Sequence, residues 1–263
     1  MKIVVLIKKT PNTEAKIEPT PDGKSLNFAS VKFITNPYDE FAVEEAIKVA
    51  TQVGNSEVVA VSFSDDAAKD LVLKALAMGA DRGLIIGNEG LENLDSLAIA
   101  KVLAKVCQDE KADLIFCGKQ GIDDDNMHVG VMVAELLGRP HINVVSKLEV
   151  QGQEATVFRE IEGGQLEKYK VKLPAVIGAS KSLNVPRYTS LPGIMKAKKK
   201  PLDKKTVDDI GLNKASLLAV SKTQVLAYTL PKAKPAGKVF KGKPPEVMVA
   251  EVVKLLRQEA KVL

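Results

Sequence analysis

Short apolar runs, each followed by a segment with helical spacing, constrain this chain more than any other feature. Ile3 to Ile7, Glu57 to Phe63, Arg82 to Ile86 and Asp113 to Cys117 have strand length and little polar alternation. Between them, Tyr38 to Ala50 and Asp95 to Val106 carry apolar faces at helical period, and Ser64-Asp65-Asp66 is an N-cap cluster for a helix through Met78. Strands buried on both faces read as near-continuous apolar stretches. The pattern therefore predicts an α/β fold with a mostly parallel, doubly wound sheet. Ligands of such sheets lie beyond the carboxyl ends of the strands, near the point where strand order reverses. Those ends gather Leu6 to Lys8, Phe63-Ser64 and Gly118 onward, with Asn36 to Asp39 at a helix start as a further wall.

The stretch Gly118 to Gly130, GKQGIDDDNMHVG, leads from the fourth strand into a helix expected over Val129 to Leu137. A strand that ends in glycine and polar residues before a helix leaves backbone N–H groups at the mouth of the sheet, which suits a phosphate. The plainer reading is a loop whose Asp123, Asp124 and Asp125 cap the helix and complement its dipole. No GxGxxG follows the first strand and GxxxxGK[ST] is absent, so neither a dinucleotide fingerprint nor a P-loop is present. Cys107 and Cys117 fall in an expected helix and an expected strand without CxxC spacing. Neither a zinc site nor a disulfide framework is expected.

The net charge of +5 comes largely from two clusters, Lys196 to Lys205 and Lys232 to Lys243. With aromatics at 4% and no tryptophan, the stacking platform of a single-strand binder is missing, and nucleic acid is not an expected partner. No run has the length of a membrane span, and Met1-Lys2 opens directly on an expected strand. Neither membrane insertion nor a signal peptide is expected. Lys8 to Ser30 reads as an excursion or small hairpin around Asp22-Gly23. Lys147 to Gln151, Thr156 to Ile161 and Lys168 to Leu173 alternate across glycine turns as antiparallel strands, and Ala175 to Ala179 adds a buried strand. After Lys200-Pro201 periodic signals are sparse until Pro244-Pro245-Glu246, where Pro245 is placed to start a helix over Glu246 to Glu259.

Several stretches, taken in order, resemble the beta subunit of electron transfer flavoprotein. They are Asn36-Pro37 with Ala42-Val43-Glu44-Glu45-Ala46, Ala75 to Gly83, and Gly118-Lys119-Gln120 with Ile122-Asp123-Asp124-Asp125. The resemblance continues through Arg159-Glu160-Ile161, Leu173 to Val176, Asn184 to Tyr188 and Leu191 to Lys200. It implies a fold of the adenine-nucleotide-alpha-hydrolase-like (Rossmann-like) type, with an antiparallel extension and a C-terminal arm. By matching position, the resemblance places a structural AMP against Leu6, Asn36, Pro37, Tyr38, Asp39 and Phe63, and against the loop Gly118, Lys119, Gln120, Gly121, Ile122, Asp123, Asp124, Asp125, Asn126, Met127, His128 and Val129. Three aspartates beside a phosphate would repel it, so their carboxylates are expected to face helix N–H groups or solvent. The family usually continues with Asn-Gln-Thr-Gly where this chain has Met127-His128-Val129-Gly130, which loses an amide and a hydroxyl and leaves the backbone donors.

The resemblance further implies a heterodimer with an alpha subunit that holds most of an FAD. This subunit would be an electron carrier with no catalytic residues of its own. Electrons would come from acyl-CoA-type and related dehydrogenases and leave to a membrane quinone reductase. Leu191, Pro192, Gly193, Ile194, Met195, Lys196 and Lys199 are expected to form a partner-docking loop. The expected division is a nucleotide-binding domain over 1–190, a recognition loop over 191–205 and an arm over 206–263 that packs on the alpha subunit. A bacterial chain of this kind would be cytoplasmic, a eukaryotic one in the mitochondrial matrix. Two alternatives stand beside this reading. One is an electron-bifurcating form with a second FAD in place of AMP and hydride from NADH; those forms carry glycine where Asp124 stands. The other is a free-standing ATP-using enzyme of the same fold, which would need a glycine- and serine-rich loop where this chain has Lys8-Lys9-Thr10-Pro11.

Overall fold

A computed structural model describes residues 1–263. The chain begins with β1 (Lys2–Leu6), followed by β2 (Lys9–Pro11), β3 (Glu18–Pro19), β4 (Leu26–Asn27) and β5 (Phe33–Thr35). Strands β2 and β5 pair with each other, as do β3 and β4, so the expected excursion is two small antiparallel ribbons. Then come α1 (Pro37–Val53), β6 (Glu57–Phe63), α2 (Ala68–Met78), β7 (Arg82–Ile86), α3 (Ser96–Asp109), β8 (Leu114–Gly118) and α4 (His128–Leu136). The second half supplies β9 (His141–Gln151), β10 (Glu154–Glu160), β11 (Leu166–Lys172), β12 (Ala175–Ala179), α5 (Leu191–Ala197), β13 (Leu202–Lys205), α6 (Lys214–Val220) and α7 (Pro245–Gln258).

Nine strands form one sheet in the order β11-β10-β9-β12-β8-β1-β6-β7-β13. It is parallel from β9 to β13 and antiparallel across β9, β10 and β11. Ile3, Val4 and Val5 of β1 and Leu114, Ile115 and Phe116 of β8 are fully buried, as uninterrupted apolar strands require. Alternate residues feed two cores. Ile3, Val5 and Phe116 join Ala42, Val43 and Leu76 of α1 and α2 on one face, and Val4 and Ile115 join Val102, Val106 and Val133 of α3 and α4 on the other. Chain order runs outward from β1 to β6 and β7, and then returns to β8 on the opposite side of β1. The loops leaving β1 and β8 therefore diverge, and a crevice opens between them.

Two buried glutamates of α1 tie the later chain to this core. Arg187 grips Glu44 with Nε on Oε2 at 2.8 Å and Nη2 on Oε1 at 2.9 Å, while Asn184 Nδ2 donates to Glu45 Oε2 at 2.9 Å. Burial would raise the Glu44 carboxyl, but the guanidinium outweighs it and holds Glu44 below the usual carboxylate range.

Three local expectations change. Ser64-Asp65-Asp66 does not cap α2; Asp65 Oδ1 accepts from Ala67 N at 3.2 Å, before the helix begins, and Ala67 at the N-cap has no side-chain hydrogen bond. Residues 191–197 are a helix rather than a loop, because Ser190 Oγ accepts from Gly193 N and Pro192 stands in the first turn. The apparent gap after Pro201 contains β13, which extends the sheet beside β7, and α6. Met1–Tyr228 forms one compact unit and Thr229–Leu263 a second, so residues 206–228 go with the sheet rather than with an arm. The second unit is built on α7, which has no buried residue, with ion pairs Lys238–Glu259 and Lys243–Glu251. No helix is long and apolar enough to cross a membrane.

Candidate functional site

A cavity of about 290 Å³ lies at the divergence of the β1 and β8 loops, near the lower end of the size of small-molecule sites, roughly 300 Å³ upward. Of the residues expected at a ligand, Leu6, Asn36, Asp39, Phe63, Gly118 to Gly121, Asp124 and Asn126 to Val129 line it. Pro37, Tyr38, Ile122, Asp123 and Asp125 are not part of its lining. Ile7, Lys8, Lys9, Ser64, Cys117 and Gly130 add to the near walls, and Asn88, Glu92, Ser96, Ile99 and Leu103 supply a far wall from the β7–α3 loop and α3.

Asp39 is the knot of the site. Its buried carboxylate accepts from Lys8 N at 2.7 Å, Gly118 N at 2.8 Å and Asn36 Nδ2 at 2.9 Å. One side chain at the start of α1 thus joins the loops that leave β1 and β8. Burial pushes its carboxyl up to about 6, against the pull of these three donors. The approach is so close that a Cβ on Gly118 would stand 2.5 Å from Asp39 Oδ1 and 2.5 Å from Tyr38 Cβ, so only glycine fits there.

Asn36 extends the knot into the loop. Its Nδ2 donates to Gln120 O at 2.9 Å and its Oδ1 accepts from Ile122 N at 3.2 Å. The side chain is spent on shaping the wall, since both of its arms already have protein partners. Beyond the turn, α4 starts at Met127 in a left-handed conformation, φ 57°, with no side-chain cap. Asn126 to Gly130 line the cavity, so the unpaired N–H groups of the first helical turn belong to its wall.

The aspartates do not cap α4; all three are exposed to solvent, one of the two orientations expected of them. Lys8 Nζ reaches Asp123 Oδ1 at 2.6 Å and Asp124 Oδ2 at 3.0 Å, while Asp125 is held by Gln120 Nε2. Burial would lower the Lys8 ammonium, yet the two carboxylates outweigh it and hold it above its ordinary range. One ammonium thereby offsets part of the acidic charge of the loop. Cys107 and Cys117 are both buried free thiols, Cys117 against the cavity, where burial pushes its thiol well above the usual range.

The sequence matches the family described as the electron transfer flavoprotein domain over residues 25–210. A protein of Bradyrhizobium diazoefficiens named electron transfer flavoprotein subunit beta is 43% identical over the whole of both chains. The subunit beta of Bacillus subtilis is 41% identical over both full lengths, and that of Homo sapiens 40% over 84% of this chain and 87% of its own. The chain belongs to the electron transfer flavoprotein beta-subunit family.

In this beta subunit the residues expected to dock a partner are away from the cavity. Helix α5 lies on the C-terminal end of α2, where a Cβ on Gly193 would come within 2.8 Å of Ala77 O, so glycine permits the contact. Lys200 Nζ donates to Leu76 O at 3.0 Å and Ala80 O at 2.6 Å, closing the end of α2 and pinning the chain that follows α5. The C-terminal end of α2 leads into the start of β7, at the edge of the sheet opposite to the cavity. Leu191 and Met195 are 79% and 70% exposed, Ile194 projects beside them, and Lys196 and Lys199 are exposed. Ala197 alone in this helix is buried, so the large apolar side chains are not its anchor to the core.

Proposed function

We propose that this chain is the beta subunit of a heterodimeric electron carrier and that it binds AMP as a structural nucleotide in the cavity between β1 and β8. The observation that carries the reading is the uncapped first turn of α4 at the cavity wall, beside aspartates whose charge Lys8 offsets in part. Backbone N–H groups of His128, Val129 and Gly130 would receive the phosphate, which needs no side-chain donor at Met127 or Val129. Leu6, Phe63, Ile99 and Leu103 offer apolar contact to the nucleoside. Asp124, paired with Lys8, stands in the lining at the place where the bifurcating forms carry glycine, and this favours AMP over the bifurcating form.

FAD, held mostly by the alpha subunit, would supply the redox chemistry, accepting electrons from acyl-CoA-type dehydrogenases and releasing them to a membrane quinone reductase. This chain would contribute no catalytic residue. Its roles would be to hold AMP, to pack on the alpha subunit, with Thr229–Leu263 as the arm, and to present α5 to the dehydrogenase. A cytoplasmic place in a bacterium, or a matrix place in a eukaryote, follows from the same reading.

Replacing Asn36 with alanine tests the site. The change frees Gln120 O and Ile122 N from their clamp, and each buried group left unpaired costs about 1–3 kcal/mol. The expected result is at least tenfold weaker AMP retention through dialysis, with the heterodimer intact. Full retention would return Asn36-Pro37 to plain turn chemistry.

A further inference from the structure

We propose that residues 221–228 form a strap that closes the mouth of the cavity and sets the rate at which its nucleotide exchanges; the proposal rests on the cavity being the nucleotide site. The strap follows α6 and is tied at both ends to segments that leave the cavity rim. At the far rim Glu92 and Ser96 line the cavity, and Asp95 stands between them in sequence at the start of α3. Its two carboxylate oxygens have separate tasks. Oδ1 accepts from Ala98 N at 2.9 Å and caps the helix, while Oδ2 accepts from Lys222 N at 2.5 Å and Thr223 N at 3.2 Å. Asp95 N in turn donates to Ser221 Oγ at 3.1 Å. Burial would raise the Asp95 carboxyl, but these backbone donors outweigh it and hold it below the usual range, so it remains an acceptor.

At the near rim the excursion between β1 and α1 departs at Lys8-Lys9 and returns at Asn36, and all three residues line the cavity. The tip of that excursion is the turn at Asp22-Gly23, where Tyr228 N donates to Gly23 O at 2.8 Å. From Thr223 to Tyr228 the chain spans at most roughly 18 Å. Strap and excursion together therefore join the two rims in one bridge. None of residues 221–228 lines the cavity, so the strap bears on access and not on contact with a bound molecule. Residues 222–227 are exposed, the apolar Val225 and Leu226 among them, so hydrogen bonds at the ends and not buried side chains hold the strap. A segment held in that way opens locally at low cost.

The test is the kinetics of labelled AMP on the purified heterodimer, with release followed in a chase and uptake followed on nucleotide-depleted protein. In Asp95→Ser the hydroxyl still caps α3 but is too short to hold Lys222 N and Thr223 N. A strap that must open for passage in either direction speeds entry and exit alike when it is freed. Asp95→Ser is therefore expected to raise both rates roughly ten- to a hundredfold and to leave Kd within about threefold. Ser221→Ala, which leaves the cap of α3 in place, is expected to raise both by about three- to tenfold, and it decides the matter even if Asp95→Ser folds poorly. Faster release with unchanged uptake would mean that the substitutions damage the site itself, and unchanged rates would mean that the strap does not control access. Either result would overturn the inference and leave the cavity reading in place. Wild type that takes up no AMP would remove the cavity reading and the inference together.

Discussion

Asp39→Ala is expected to destabilise the fold of this chain by about 3 kcal/mol at pH 7 and to release the AMP proposed for the cavity. The substitution strands three donors, Lys8 N, Gly118 N and Asn36 Nδ2, at about 1–3 kcal/mol each. Against this, it removes a buried carboxylate whose rise from 3.8 to about 6 marks a penalty of about 3 kcal/mol when it is ionised. The stranded donors win, and the loops after β1 and β8 lose their common tie. The same numbers set a pH dependence. A carboxyl with a folded value above its unfolded one binds its proton more tightly when folded. Its stabilising contribution is complete below about pH 4 and declines as pH rises through about 6. The gap between wild type and Asp39→Ala should therefore widen as pH is lowered from 7 to 5, as read by thermal unfolding at each pH. A gap that stays constant over that range would mean that Asp39 does not titrate there.

Leu191→Ala should slow flavin reduction by a partner dehydrogenase by roughly ten- to a hundredfold at sub-saturating dehydrogenase, while FAD, AMP and the heterodimer are retained. At 79% exposure Leu191 contributes little to the fold, so its removal leaves α5 seated through Ser190, Gly193 and Lys200. Burying a leucine in a partner's pocket contributes about 1.5–3 kcal/mol, and each 1.4 kcal/mol is tenfold in affinity. Lys196 and Lys199 would act mainly on the rate of encounter, an effect that fades as salt screens it. An unchanged rate would leave α5 as a connector between β12 and β13.

The parallel strands were legible because each is an apolar run with no competing period, and Glu57 to Phe63 and Arg82 to Ile86 form with the boundaries the sequence suggests. Strand β13 was not, since Leu-Asp-Lys-Lys carries one apolar residue; it is a strand because its backbone completes the edge of β7. Helix α5 was hidden by Pro192-Gly193, which punctuate a loop as readily as the first turn of a capped helix. The near wall of the cavity followed from where strands end. The far wall did not, because Ile99 and Leu103 carry the same helical period whether they face a core or a cavity. Lys8 was seen only as a strand end, and its pairing with Asp123 and Asp124 spans more than a hundred residues.

Whether the cavity holds AMP is decided by purifying the heterodimer, releasing its nucleotides by denaturation and identifying them by mass. The expected result is one FAD and one AMP per heterodimer, with no direct reduction of the flavin by NADH. Two FAD per heterodimer with reduction by NADH, or FAD without AMP, would contradict it.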